Sequence, residues 1–173
     1  LNRKFEHSFN SLITNEIRMN KLNKVKDEFN PRFDAKSRVY KYFILNNSME
    51  LPFSKDYVYY IERNLELEQL NNISKIFLGK KNFQNFSKLR INQTPFRKIS
   101  LSKWSMQNSK FVYTIEGNSF LHNMVRSIVG CQLAVIDEKI SINDLKKSLL
   151  NPSGTRHRFM VPSNGLHLWK IKY

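Results

Sequence analysis

The stretch Gly117-Asn118-Ser119-Phe120-Leu121-His122-Asn123-Met124-Val125-Arg126-Ser127-Ile128-Val129-Gly130 sets a single arginine into an apolar helical pattern. An arginine among Met124, Val125, Ile128 and Val129 must face solvent or meet an anion, because an unpaired buried charge is very costly. Leu121, Val125, Ile128 and Val129 fall on one side at i, i+4, i+7 and i+8, which makes them core. Arg126 projects about 100° from Val125, at the margin of that stripe. From there a long side chain can lay its stem on the core and send its guanidinium into a cleft.

A second pattern concerns phosphates. From Gln69 to Ile115 there is no acidic residue, while Lys75, Lys80, Lys81, Lys88, Arg90, Arg97, Lys98, Lys103 and Lys110 fall within it. Phe83, Phe86, Phe96 and Trp104 are interleaved, and most of them are expected in the core. Cations neutralise phosphates, and an exposed aromatic can stack on an unpaired base. Lys80, Lys81, Lys88, Arg90, Arg97 and Lys98 are the cations singled out for RNA. Arg156-His157-Arg158 forms a second basic loop, read equally well as an exposed turn or as a phosphate contact with Arg156 and Arg158.

Composition agrees with such a partner. In 173 residues, 29 Lys+Arg against 14 Asp+Glu give a net charge of +15. That excess favours a polyanion, either nucleic acid or an anionic surface. The cations do not line one face of an amphipathic helix, which argues against a membrane surface. No apolar run approaches the roughly 18 to 20 residues that span a bilayer. A lone Cys131 forms no intrachain disulfide, and a reducing compartment is the default. Four scattered histidines offer no metal-ligand spacing, and with five glycines there is no phosphate-cradling loop. Neither a metal nor a cofactor is expected.

The elements that must position these residues follow from periodicity. Residues 1 to 28 read as a short helix (Phe5, Phe9, Leu12) and then irregular chain. Val39 to Leu45 alternates as a strand does, so Arg38, Tyr40 and Tyr42 share one face. Tyr40 on such a strand is either packing or function. A strand-like piece covers Tyr57 to Ile61. Leu65, Leu67, Leu70, Ile73, Ile76 and Phe77 recur at helical spacing, with Gly79 as the C-cap. Ile99 to Met106 and Phe111 to Glu116 form a hairpin across Gln107-Asn108-Ser109. Helices follow from Leu121 to Ile136 and from Ile142 to Leu150, the second capped by Ser141. Leu166 to Tyr173 closes as a strand. The whole predicts one α+β domain over residues 1–173, a mainly antiparallel sheet with helices packed on one face.

The segment around Arg126 closely resembles the RNA-modifying motif of the TruA family of tRNA pseudouridine synthases. Three further blocks resemble the same family in order. Phe29-Asn30-Pro31-Arg32-Phe33-Asp34-Ala35-Lys36-Ser37-Arg38-Val39-Tyr40-Lys41-Tyr42-Phe43-Ile44 is similar to its central strand. Phe77 to Phe86 is similar to a helix-to-loop element, and Pro162-Ser163-Asn164-Gly165-Leu166-His167-Leu168 to its C-terminal strand. The resemblance implies a pseudouridine-synthase-like fold and isomerisation of uridine to pseudouridine in tRNA. That reaction detaches uracil from ribose, turns it and rejoins it through carbon, without a cofactor. It implies that Arg126 pairs with a catalytic aspartate, and that Arg38 and Tyr40 reach the target base. Tyr40 would stack on that base, which must leave its own stack to be reached. Leu166 or Leu168 would floor the uracil pocket. His122 is read as a helix-start residue.

One departure limits the resemblance. The family's nucleophile lies in an Arg-Thr-Asp-type loop ahead of these blocks, and none of Asp27, Asp34, Asp56, Asp137 and Asp144 has that context. The expectation is a C-terminal portion without the nucleophile, inactive alone. Asp34, the nearest substitute, falls at a variable position of the family pattern. The alternative is a non-catalytic RNA-binding module or structural subunit of a ribonucleoprotein. The resemblance also implies a homodimer, and the reducing compartment that one cysteine makes the default is expected to be the cytoplasm, or an organelle.

Overall fold

The computed structural model describes residues 2–46, 51–150, 152 and 159–173. Arg156, His157 and Arg158 lie outside the described residues. The chain divides into two compact units, Leu1–Asp34 and Ala35–Tyr173.

The first unit is one helix and a returning chain. Helix α1 (Asn2–Leu12) stacks Phe5 on Phe9, ring centroids 6.2 Å apart. Asn10 then ties down the return: its amide donates to the Met19 carbonyl at 2.9 Å, and its Oδ1 accepts from the Met19 N–H at 2.8 Å. Glu6 takes the Leu22 N–H at 2.9 Å. The chain then turns at Asn30–Asp34, where the Asp34 carboxylate accepts from the Asn30 N–H at 2.9 Å. Helix and irregular return are what the sequence predicted.

The second unit carries β1 (Ser37–Leu45), α2 (Leu51–Ser54), β2 (Tyr59–Tyr60), α3 (Leu67–Ser74), β3 (Gly79–Asn82), β4 (Phe96–Gln107), β5 (Lys110–Gly117), α4 (Met124–Ile136), α5 (Ile142–Leu150) and β6 (Leu166–Lys172). Its six-stranded sheet runs β2-β1-β5-β4-β3, with β6 also paired to β1. Every pairing is antiparallel except β1 with β2. The expected α+β fold with a mostly antiparallel sheet stands.

Local chemistry explains the joints. Between β4 and β5, Asn108 and Ser109 both take positive φ (45° and 62°), the geometry of a two-residue hairpin loop whose twist matches its strands. Tyr42 lies opposite Tyr113, and Tyr113 opposite Trp104, so the three share one face of the sheet. All are fully buried there, in a core that α3, α4 and α5 complete with Leu70, Ile128 and Leu145. The Trp104 indole donates to Gln132 of α4 at 2.8 Å, and Ser102 meets the Tyr113 hydroxyl at 2.7 Å. Beyond the reach of β3, the open edge of β4 is covered by α3. Asn71 exchanges hydrogen bonds with the Trp104 backbone (2.9 and 3.1 Å), and Ser74 donates to the Ser102 carbonyl. Side chains thus satisfy backbone groups that an edge strand would otherwise leave exposed.

Three boundaries differ from the sequence reading. Gly79 does not cap a helix: α3 ends at Ser74, a 3₁₀ turn spans Lys75–Phe77, and Gly79 (φ +91°) opens β3. The strand expected over Tyr57–Ile61 shortens to β2. Helix α4 starts at Met124 and not at Leu121, because Asn123 sits in the left-handed region (φ 61°) and breaks the pattern. Among the described residues no helix is long and apolar enough to cross a membrane.

Candidate active site

The alternation of β1 sends Tyr40 and Tyr42 to the helix-covered face. Tyr42 is fully buried, and its hydroxyl donates to the Pro162 carbonyl at 2.8 Å. Burial pushes its phenol far above the usual tyrosine range. Tyr59 adds to that rise, and Arg126 pulls against it. Tyr40 is half-buried and stands edge-on to Phe120, ring centroids 5.1 Å apart. Arg38 acts at the start of the strand: its Nη1 donates to the Ala35 carbonyl at 2.7 Å and the Asn118 carbonyl at 2.8 Å, bracing the chain ahead of the motif.

Arg126 is half-buried in the first turn of α4. Its Nε donates to the Val161 carbonyl at 2.8 Å, and Nη1 reaches Asn123 Oδ1 at 3.4 Å. The Val161 N–H returns a bond to the Arg126 carbonyl at 3.4 Å. Residues 159–165 therefore form a strap laid between α4 and β1. Ser127 donates to the Phe159 carbonyl, and the Phe43 N–H donates to the Gly165 carbonyl at 2.9 Å. Two glycines admit the close fit. A Cβ on Gly130 would come within 2.7 Å of the Phe159 backbone, and one on Gly165 within 2.7 Å of the Phe43 carbonyl.

The strap delivers β6 directly. Leu166 is the register partner of Tyr42, and Leu168 that of Tyr40, so both leucines share the tyrosines' face. Leu166 packs against the core, while Leu168 is 51% exposed beside Tyr40. Arg126 and Tyr42 grip the neighbouring carbonyls of Val161 and Pro162. Arg126 and Tyr42 thus meet at the strap, which runs on into Leu166, while Tyr40 and Leu168 pair two residues farther along the same face. Within the described part of Ala35–Tyr173 no carboxylate forms an ion pair with Arg126. His122 is exposed in the turn before α4.

The cations divide. Lys80 and Lys98 are exposed cross-strand partners on β3 and β4, Lys81 is half-exposed, and Lys88 and Arg90 are exposed in the following loop. Arg97 departs from the expectation of a phosphate-facing cation. It is 7% exposed, and its Nη1 donates to the carbonyls of Thr94 and Phe96 at 2.7 and 2.6 Å, so it braces its own loop. Burial lowers its pKa. Of the interleaved aromatics, Phe83, Phe86 and Trp104 are fully buried, and Phe96 is 49% exposed.

Sequence reasoning missed the buried clamp made by Tyr42. The signal was present: the alternation that brings Tyr40 to the helix face brings Tyr42 with it. It also missed an aromatic cluster on the opposite face, where Lys41 Nζ lies 4.0 Å from the Trp169 ring and Phe43 packs edge-on to His167. Alternation in β6 places His167 and Trp169 there.

Comparison with known proteins shows the family. The family described as tRNA pseudouridine synthase matches residues 73–173. The chain is 36% identical over 168 residues to tRNA pseudouridine synthase A of Borrelia duttonii, covering 96% of this chain and 68% of that protein. The same enzyme of Borrelia hermsii is 36% identical over the same shares. That of Borreliella burgdorferi is 33% identical over 94% of this chain and 66% of the relative. With this family match over more than half of the chain and these relatives, the chain belongs to the TruA family of tRNA pseudouridine synthases.

Proposed function

We propose that residues 1–173 act as the RNA-binding and pocket-forming part of a tRNA pseudouridine synthase. The observation that carries this reading is the anchoring of Arg126. Its Nε is committed to the Val161 carbonyl, and its outer edge has no carboxylate partner among the described residues of its unit. A planar fork held by one edge is oriented to receive a carboxylate on the other.

In this reading an aspartate from outside Ala35–Tyr173 meets that edge, and the opposite charge keeps it ionised for attack or proton abstraction. Tyr40 stacks on the flipped uracil and assists proton movement, Leu166 and Leu168 floor the pocket, and Arg38 steadies the strand that presents the base. Lys80, Lys81, Lys88, Arg90 and Lys98 take phosphates, joined by Arg156 and Arg158. tRNA is the partner, and a second copy of the chain and a cytoplasmic or organellar setting follow from the family. The same open outer edge also supports the second reading, a non-catalytic RNA-binding module.

A tritium-release assay on tRNA labelled at uridine C5 tests the first reading. The purified 173-residue chain is expected to bind tRNA and release no tritium. Turnover by this chain refutes the assignment of the nucleophile and moves suspicion to Asp34. The coding sequence upstream of Leu1 separates the two readings: an Arg-Thr-Asp loop there means enzyme.

A further inference from the structure

We propose that a notch between α5 and β3 is a docking site for an unpaired nucleotide flanking the modified one. The proposal rests on the reading that this chain binds RNA. The notch is a cavity of about 230 Å³ lined by Ile76, Lys81, Lys146, Leu149 and Leu150. Three aliphatic side chains make its floor and lip, and two lysines make its rim. Neither lysine forms an ion pair with any described residue. Leu150, 72% exposed, forms the open lip.

The chemistry favours a nucleotide over other guests. A base offers an apolar face to the aliphatic floor, and its own phosphates fall to the two rim lysines. No acid lines the notch. Lys81 pairs across the sheet with Arg97, on the side that α5 covers, so its ammonium belongs to the notch and not to the outer face where Lys80 pairs with Lys98. The position also suits a flanking nucleotide. Strand β3 stands three strand spacings from β1, roughly 14 Å from the strand of Tyr40. A separation of that length is spanned by a few nucleotides of single-stranded RNA. A duplex cannot use the site, since its bases stay stacked.

The test uses this chain with a fluorescein-labelled single-stranded RNA and the same RNA annealed to its complement. Leu150→Ser removes the apolar lip without adding charge, at an exposed position that leaves the fold intact. It should weaken the single strand about tenfold, the loss of one apolar side chain's contact, and leave the duplex unchanged. Lys81→Ala with Lys146→Ala should lower the salt slope for the single strand by about 1.4, two phosphate contacts' worth. RNA carrying 4-thiouridine should crosslink to the peptide holding Lys146 to Leu150. The proposal is overturned if Leu150→Ser affects single strand and duplex alike or neither, or if the crosslink falls elsewhere. It is equally overturned if an acidic leucine-containing peptide displaces the single strand from the notch, which would make this a protein-docking site. Failure of the wild-type chain to bind any RNA at low salt defeats the underlying RNA reading instead, and so is told apart from failure of the notch alone.

Discussion

Tyr40 and Tyr42 lie two residues apart on one face of β1, and the same substitution should separate fold from function. Tyr42→Phe deletes the hydroxyl that donates to Pro162 at 2.8 Å. Removing one partner of a buried hydrogen bond costs about 1–3 kcal/mol, because the other is left unsatisfied. Pro162 is itself exposed, so water can take over its carbonyl. The strap also keeps its bonds through Arg126 and Phe43. Both facts pull the cost to the low end, about 1 kcal/mol, or a melting temperature lower by about 2–4 °C. Tyr40→Phe removes a hydroxyl that has no hydrogen-bond partner among the described residues and keeps the ring on Phe120. It should fall within about 0.5 kcal/mol of the parent. Urea unfolding followed by tryptophan fluorescence reads both, since Trp104 is fully buried on the same face. An unchanged slope confirms that only stability moved. If Tyr40→Phe costs as much as Tyr42→Phe, the division of labour along β1 is wrong.

Charge reversal at Lys80, Lys81 and Lys88 together should weaken binding to all tRNAs alike and flatten its salt dependence, as lost phosphate contacts do. Unchanged affinity and slope in a filter-binding titration would reduce the acid-free stretch to a solvated face. Glu116 gives a pH test. Lys172 Nζ, at 2.7 and 2.8 Å, and the Ser37 hydroxyl, at 2.6 Å, hold its carboxyl below the usual glutamate range. A depressed folded pKa contributes stability above the unfolded value and loses it as pH falls through the folded one. Glu116→Gln should therefore be less stable than the parent at neutral pH and converge with it in acid. Parallel urea midpoints across that range would exclude the linkage.

Much of the fold was legible because its signals are local. The alternation of β1 and β6, the apolar run of α4, and Ser141 accepting from the Asp144 N–H at 3.0 Å at the start of α5 each announce themselves within a few residues. The hairpin is set by Asn108 and Ser109, which tolerate positive φ. Strand β3 was not legible. Gly79-Lys80-Lys81-Asn82 has no hydrophobic alternation, and it becomes a strand only because β4 offers an edge. Such pairing overrides propensity, and lysines are what exposed edges carry. Arg97 was misjudged for a related reason. A run of cations does not say which one turns inward. Period two along β4 does: Arg97 shares its side with buried Ile99, and Lys98 takes the other.

Arg126 shows why sequence could single out a residue without giving its full role. An arginine in an apolar helix calls for an anion or for solvent. The structure supplies another reason for it. Its Nε holds Val161, its backbone carbonyl accepts from Val161 in return, and Nη1 rests near Asn123. The left-handed backbone of Asn123, which breaks the helix before Met124, is also what brings that side-chain oxygen within reach. A lysine has no second edge and could not both hold the strap and present a fork. Structure alone therefore accounts for one side of the guanidinium. It does not account for Nη2, which has no partner among the described residues. The same strap that fixes Arg126 carries Pro162 to Tyr42 and leads into Leu166 and Leu168. A carboxylate placed on the remaining edge would thus be registered against the tyrosine and leucine walls by one continuous piece of backbone. That is the physical ground for the proposal that Arg126 belongs to a reaction centre as well as to the fold.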